Sequence, residues 1–125
     1  MRYLDIRKNT LTWDEIYRLF NTNRIYLDIP KLKWTTQQRL DYLDSCNSDQ
    51  PVRDWFVQQT RTGEYILKYG YEQFYTLILL QHDLIQHKDP IFKVSVSRQP
   101  IILRVIKPSV SEEEVQEVIR RYLNE

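Results

Sequence analysis

The side chains most often used in catalysis and metal binding are scarce in this sequence. There are two histidines, His82 and His87, and one cysteine, Cys46. The histidines are five residues apart in a segment with helical periodicity, so about 140° separates them around the helix and they cannot share a metal ion. Asp83 and His87 have i, i+4 spacing, which is more typical of a surface contact than of a catalytic dyad. We therefore predict no metal site and no catalytic residue, and we interpret Cys46 as a buried structural thiol.

One segment has the form of a phosphate-binding turn, although the sequence has no zinc-protease motif, nucleophile elbow or Walker loop. A glycine there lies between a predicted strand and a predicted helix. Glycine permits a tight turn, and the amides at a helix start present partial positive charge to a phosphate. A strand-to-helix turn with one glycine is also common as a purely structural connection. Both interpretations, a phosphate site and a structural turn, therefore remain open. The candidate nucleotide-site positions are Lys68, Tyr69, Gly70, Tyr71, Glu72 and Gln73.

A second candidate site is a locally basic segment with interleaved aromatic residues. Such a surface could contact phosphates and stack a base. Nearby aspartates dilute its charge, so a solvated face is the favoured interpretation and nucleic-acid binding the alternative. The candidate nucleic-acid contacts are Arg24, Lys31, Lys33, Trp34 and Arg39.

Capping signals define the helices that must position these residues. Thr12 with Glu15, Thr35 with Gln38, and Ser111 with Glu114 have the spacing of capping boxes. Together with apolar residues at helical spacing, they predict helices over 13–21, from about 35 to before 47, and over 112–123. A further helix, over 71–87, is predicted from its wide apolar stripe.

Alternation and β-branched composition indicate the strands, which are predicted over 24–29, 52–58, 64–69, 92–96 and 101–106. The second and third form a hairpin around Gly63. Pro30, the 47–51 stretch and Pro90 are expected in loops. The predicted fold class is α+β, with a small mixed sheet of about five short strands and about four helices.

Composition limits the class of protein. The chain has 125 residues, a formal charge of +1 and 42% hydrophobic residues, which suits a single domain over 1–125 that folds without a disulfide. The near-neutral charge excludes a polycationic nucleic-acid coat. The longest apolar run covers only 77–80 and no signal-peptide core follows Met1, so we expect a cytoplasmic or otherwise intracellular, soluble protein without membrane contact.

The order of elements and several spacings resemble a known family. The segments that carry the likeness are 28–34, 39–45, Pro51 with Val52, and 69–77. They resemble the N-terminal domain of GmrSD-type restriction endonucleases, which has a ParB/sulfiredoxin-like fold. Gly70, Thr76 and Leu77 keep register with that family's D-G-Q-Q-R-L-T-T-L pattern.

The departures from the family pattern affect its polar residues. The family's F-Q-R motif is deleted together with part of a loop. Tyr69 stands where the acid of D-G-Q-Q-R is expected, and Gln73 stands where its arginine is expected. The acid could act as a base or hold a metal, and the arginine is a permanent cation for phosphate. Glu72, in place of a neutral glutamine, would repel an anionic ligand.

The resemblance and its departures together imply a catalytically inactive domain. We predict a ParB/sulfiredoxin-like module for protein interaction or assembly, within a defence or viral complex or as a homo-oligomer, that needs no cofactor. Tyrosine and tryptophan are abundant, and both residues make good interface anchors. The alternatives are a nucleoside-triphosphate-binding domain of a nuclease, with Lys68 or Lys31 as replacement cation, and a nucleic-acid-binding adaptor.

Overall fold

The computed structural model describes residues 6–27, 32–46, 53–89 and 92–124. Within these ranges it contains five strands and five helices. The strands are β1 (Arg7–Thr12), β2 (Ile25–Leu27), β3 (Trp55–Gln59), β4 (Tyr65–Tyr69) and β5 (Pro100–Ile106). The helices are α1 (Trp13–Asn21), α2 (Thr36–Cys46), α3 (Tyr71–Gln81), α4 (Phe92–Ser97) and α5 (Glu112–Leu123).

The five strands form one mixed sheet in the order β1-β5-β3-β4-β2. β1 with β5 and β3 with β4 are antiparallel, whereas β5 with β3 and β4 with β2 are parallel. The predicted α+β class with a mixed sheet is therefore confirmed. So is the predicted hairpin, in which β3 and β4 flank a turn with Gly63 at a φ of 97°.

Side chains alternate between two cores on opposite faces of the sheet. Trp55 and Val57 of β3 belong to the larger core, which also contains buried residues of α1, α2, α3 and α4. Phe56, between them, belongs to a smaller core formed with Ile106 and α5. Because successive residues of a strand point to opposite faces, the molecule has three layers, with four helices on one face and α5 on the other.

The predicted caps are present at three helices. Thr12 and Ser111 accept hydrogen bonds from the backbone N–H of the residue three positions on, and the glutamate there bonds back to the cap. Thr35 and Gln38 make the same reciprocal pair before α2. These short-range signals place helix starts correctly because each satisfies two N–H groups that the helix leaves unpaired.

The elements differ from the prediction in three places. Residues 92–97 form a helix rather than a strand, and residues 7–12 form a strand that the sequence did not indicate. β5 already pairs with β1 on one side and with β3 on the other, so no edge of β5 is free to form a hairpin with residues 92–96.

The third difference concerns the length of α3, which ends at Gln81 and not at His87. Asp83 adopts a left-handed conformation with a φ of 58°, and the N–H of Leu84 donates to the carbonyl of Leu79. These two features form a Schellman motif, which ends the helix. The predicted loop over 47–51 and the loop residues Pro30 and Pro90 lie outside the described residues.

Candidate functional site

Gly70 joins β4 to α3 in a left-handed conformation, with a φ of 107°. A Cβ atom here would lie 2.7 Å from Cγ of Trp55. Any other residue would therefore meet both backbone strain and overlap with the indole ring. The indole N–H of Trp55 is itself buried and has no acceptor among the described residues. The close approach of Trp55 accounts for the glycine without a ligand.

Glu72, the second residue of α3, has three donors around its carboxylate. Oε2 accepts hydrogen bonds from the backbone N–H groups of Lys33 and Trp34, the latter at 2.9 Å. Nη2 of Arg39 donates to Oε1 at 3.0 Å. Two backbone amides and a guanidinium are donors that suit an anion, and here the chain supplies that anion itself.

Arg39 reaches this carboxylate from α2 and is buried. Its Nη1 donates to Oγ1 of Thr76 at 2.9 Å and to the carbonyl oxygen of Glu72 at 3.3 Å. The hydroxyl of Thr76 in turn donates to the same carbonyl at 2.7 Å. We call Lys33, Trp34, Arg39, Glu72 and Thr76 the Glu72 cluster. Its buried charges are paired and hydrogen-bonded, as charges removed from water must be.

The two residues before Gly70 belong to the opposite side of the sheet. Lys68 is buried, and its Nζ lies 3.0 Å from Oε2 of Glu112 at the start of α5. Tyr69 packs its ring on Phe56 in the smaller core. Burial raises the pKa of Tyr69, although the charge of Arg53 opposes this. Neither side chain is positioned beside the start of α3.

Tyr71 and Gln73 are the remaining positions of the junction, and both belong to α3. Tyr71 packs at the margin of the larger core, and Gln73 is partly exposed. The structure therefore brings Glu72 into contact with Lys33, Trp34 and Arg39, whereas the side chains of Lys68 and Tyr69 lie on the α5 side of the sheet. The six predicted positions do not form one site.

The basic segment is also divided. Arg24 and Lys33 are exposed, whereas Arg39 is buried in the Glu72 cluster. The ring of Trp34 packs on Tyr42, with 5.9 Å between the ring centroids, so it is not a free stacking platform. Lys31 lies outside the described residues. Among the described candidates, two side chains remain accessible to a phosphate.

The histidines are placed apart, and the prediction that one helix carries both is wrong because α3 ends at Gln81. Nε2 of His82 lies 3.0 Å from the hydroxyl of Tyr17, and Nε2 of His87 lies 2.7 Å from Oδ1 of Asp44. In the part of the chain that the structure describes, no group of three or more histidine, cysteine or acidic residues could hold a metal ion.

Cys46 is buried at the end of α2, as predicted. Burial raises the pKa of its thiol to about 11, although a hydrogen bond with Tyr42 lowers it. Burial also raises the pKa of Tyr42 well above its ordinary value, helped by the neighbouring Cys46. A thiol with a raised pKa is a poor nucleophile at neutral pH, because the thiolate is the reactive form.

Comparisons with models of protein families, with curated protein sequences and with solved structures found no match. None of the helices within the described ranges is long and apolar enough to cross a membrane.

Sequence reasoning missed the Glu72 cluster. Arg39, Tyr42, Leu43 and Cys46 are all buried on α2, at the i, i+3, i+4 and i+7 positions of one helical face. That periodicity is visible in the sequence and could have indicated that Arg39 points inward. An inward arginine needs a carboxylate partner, but nothing in the sequence identifies Glu72, which is 33 residues away.

Proposed function

We propose that this chain is a non-catalytic domain for protein interaction or assembly, related to ParB/sulfiredoxin-like domains, in which the chain's own Glu72 carboxylate occupies the anion donors beside the strand–glycine–helix turn. The observation that carries the proposal is the position of the Glu72 carboxylate on the amides of Lys33 and Trp34 and the guanidinium of Arg39. An incoming phosphate would have to displace this carboxylate to reach those donors. Lys68, the replacement cation of the nucleotide-binding alternative, is already paired with Glu112.

The interaction half of the proposal is supported by large apolar side chains on the surface. Leu84, just after α3, is 73% exposed, more than any other large apolar residue described. In a Schellman end this position usually contacts the helix, so its exposure is unusual. The other large apolar side chains that are at least 36% exposed among the described residues are Tyr26, Leu32 and Ile102. Burial of such apolar groups against a partner is favourable because it removes them from water.

The proposed occupation of the anion donors by Glu72 can be tested with nucleotides. Thermal unfolding of the wild-type protein is measured with ATP, GTP or CTP and magnesium. A nucleotide at 100 times its dissociation constant would stabilise the fold by about 2.7 kcal/mol. We expect no change in Tm, and a clear rise with any of the three would contradict the proposal.

Replacement of Glu72 by alanine gives a sharper test of the same idea. The variant should leave two amides and a guanidinium without their acceptor, so added phosphate or acetate should raise the Tm of Glu72→Ala more than that of the wild type. Glu117→Ala is the control, because among the described residues Glu117 accepts only from Arg120 and Arg121 on α5. Equal responses of all three proteins would show that the Glu72 donors do not form an anion site.

Assembly is tested by size-exclusion chromatography with light scattering, followed by affinity capture from the native source. We expect a complex larger than the 15.3 kDa chain, or a retained protein partner. Leu84→Lys should weaken it, whereas Ser109→Lys, at an exposed turn before α5, should not. A monomer that captures no protein would contradict the proposal, and capture of nucleic acid alone would favour the adaptor alternative.

A further inference from the structure

A cavity of about 420 Å³ opens where the end of α2 meets the beginning of β5. It shares no residue with the Glu72 cluster. Its apolar wall includes Leu77 of α3, Val96 of α4 and Ile101 of β5, all of them buried. Small-molecule sites are concave, mostly apolar and have volumes of roughly 300–1,000 Å³. The cavity therefore has the size and lining of a ligand site.

Five polar side chains, Thr10, Tyr42, Cys46, Arg53 and Gln99, distinguish this cavity from a packing defect. Tyr42 and Cys46 line it from α2, and Arg53, just before β3, also lines it. Tyr42 and Cys46 are thus the phenol and the thiol of an apolar chamber, and Arg53 is the basic residue among its described lining. A few polar groups in an apolar pocket fix the orientation of a ligand.

Arg53 supplies the only formal charge among the described lining residues. It is exposed, and among the described residues it forms no ion pair; its guanidinium lies 5.8 Å from the ring centroid of Tyr122. The nearest carboxylate in sequence, Asp54, is bound to Arg104 at 2.7 Å. The guanidinium therefore lies against an aromatic ring of the smaller core and has no carboxylate partner among the described residues, so an anion bound at the edge of the cavity can pair with it.

We propose that this cavity binds a small amphiphilic monocarboxylate, with its apolar body against Leu77, Val96 and Ile101 and its carboxylate paired with Arg53. The apolar body gains from leaving water, and the carboxylate gains an ion pair without full burial. Binding here requires no nucleotide and no catalytic step. It is independent of the function proposed above.

Octanoate is the probe, and 1-octanol and octylammonium are controls with the same chain and a neutral or positive head group. Binding is measured by calorimetry, and its location by the alkylation rate of Cys46, the chain's single cysteine. We expect octanoate to bind about fivefold more tightly than 1-octanol and to slow alkylation. Octylammonium should bind more weakly than either.

Arg53→Gln should remove the preference for octanoate over 1-octanol. Arg98→Gln, an exposed arginine close in sequence to β5 that does not line the cavity, should keep it. If Cys46 reacts too slowly to follow, the same titrations are read from the methyl NMR signals of Leu77, Val96 and Ile101. No binding of octanoate, equal affinity for all three probes, or binding that neither protects Cys46 nor shifts these signals would overturn the proposal.

Discussion

Two glycines with similar left-handed backbones differ in what surrounds them, and this difference makes a prediction at the scale of single residues. Gly63 has a φ of 97° and nothing within 4 Å of an added Cβ, whereas Cβ at Gly70 would overlap Trp55. Gly63→Ala should cost about 1–2 kcal/mol from backbone strain alone. Gly70→Ala should cost about 3 kcal/mol or more, since overpacking adds to the strain.

Urea unfolding of the two variants measures the difference directly. Because both substitutions add the same methyl group, the contrast isolates the contact with Trp55. Equal losses would mean that the indole ring moves aside without cost, and the packing explanation of Gly70 would then fail.

The raised pKa of the Cys46 thiol predicts that the free energy of unfolding depends on pH. Its pKa is about 11 in the folded protein, against an ordinary value of 9.0. The unfolded chain therefore loses this proton first as pH rises, and the thiol's contribution to the free energy of unfolding is complete below pH 9. That contribution should be lost between about pH 9 and 11 and amounts to about 3 kcal/mol.

Comparison with Cys46→Ala separates the thiol from other groups that ionise at high pH, Tyr42 among them. The stability of the variant should fall less steeply than that of the wild type from pH 9 upwards. Parallel curves, measured by urea unfolding across this range, would show that Cys46 ionises normally in the folded protein.

At the scale of elements, the ion pair of Arg39 with Glu72 links α2 to α3. Their side chains are only 9% and 17% exposed. Glu72→Gln keeps acceptors for the amides but leaves Arg39 buried without a counter-charge, so it should cost about 2–4 kcal/mol. The double variant Arg39→Met with Glu72→Gln should be more stable than the sum of the single losses predicts.

Urea unfolding of the four proteins completes this double-mutant cycle. Glu117→Gln provides a matched control, because its partners Arg120 and Arg121 are largely exposed on α5, and its stability should change little. A loss for Glu72→Gln no larger than for Glu117→Gln would show that Arg39 does not depend on Glu72.

Elements with a local signal were predictable from the sequence, and elements defined by their neighbours were not. The helix starting at Trp13 and the helix starting at Glu112 follow from their capping boxes. Residues 92–97 alternate as a strand does, yet they form a helix because β1 occupies the place beside β5. β1 itself is a largely exposed edge strand of polar composition, so it lacks the apolar alternation that would indicate it.

The candidate site follows the same rule. The strand, the glycine and the helix around Gly70 were predicted in the right order. The partners of Glu72 were not, because Lys33, Trp34 and Arg39 approach it only through the packing of α2 against α3. Tertiary contacts of this kind have no period and no fixed spacing in a sequence.

At the scale of the whole molecule, α5 is the only described helix on its face of the sheet. Tyr122 makes several of the contacts that attach α5 to the sheet. The hydroxyl of Tyr122 accepts a hydrogen bond from the N–H of Asp54 at 2.8 Å. Its ring packs on Phe56 and lies 4.4 Å from the guanidinium carbon of Arg104. We therefore expect loss of Tyr122 to destabilise the smaller core more than the larger core.

Tyr122→Ala should cost about 3 kcal/mol, and Tyr122→Phe about 1 kcal/mol because it removes only the acceptor of the Asp54 N–H. Tyr26→Ala, at a tyrosine that is 39% exposed, is the control and should cost less than Tyr122→Ala. Hydrogen exchange provides the decisive measurement, since loss of a local anchor should speed exchange in α5 more than in α3. If Tyr122→Ala instead speeds exchange equally in both helices, the two cores unfold together and the smaller one has no separate stability.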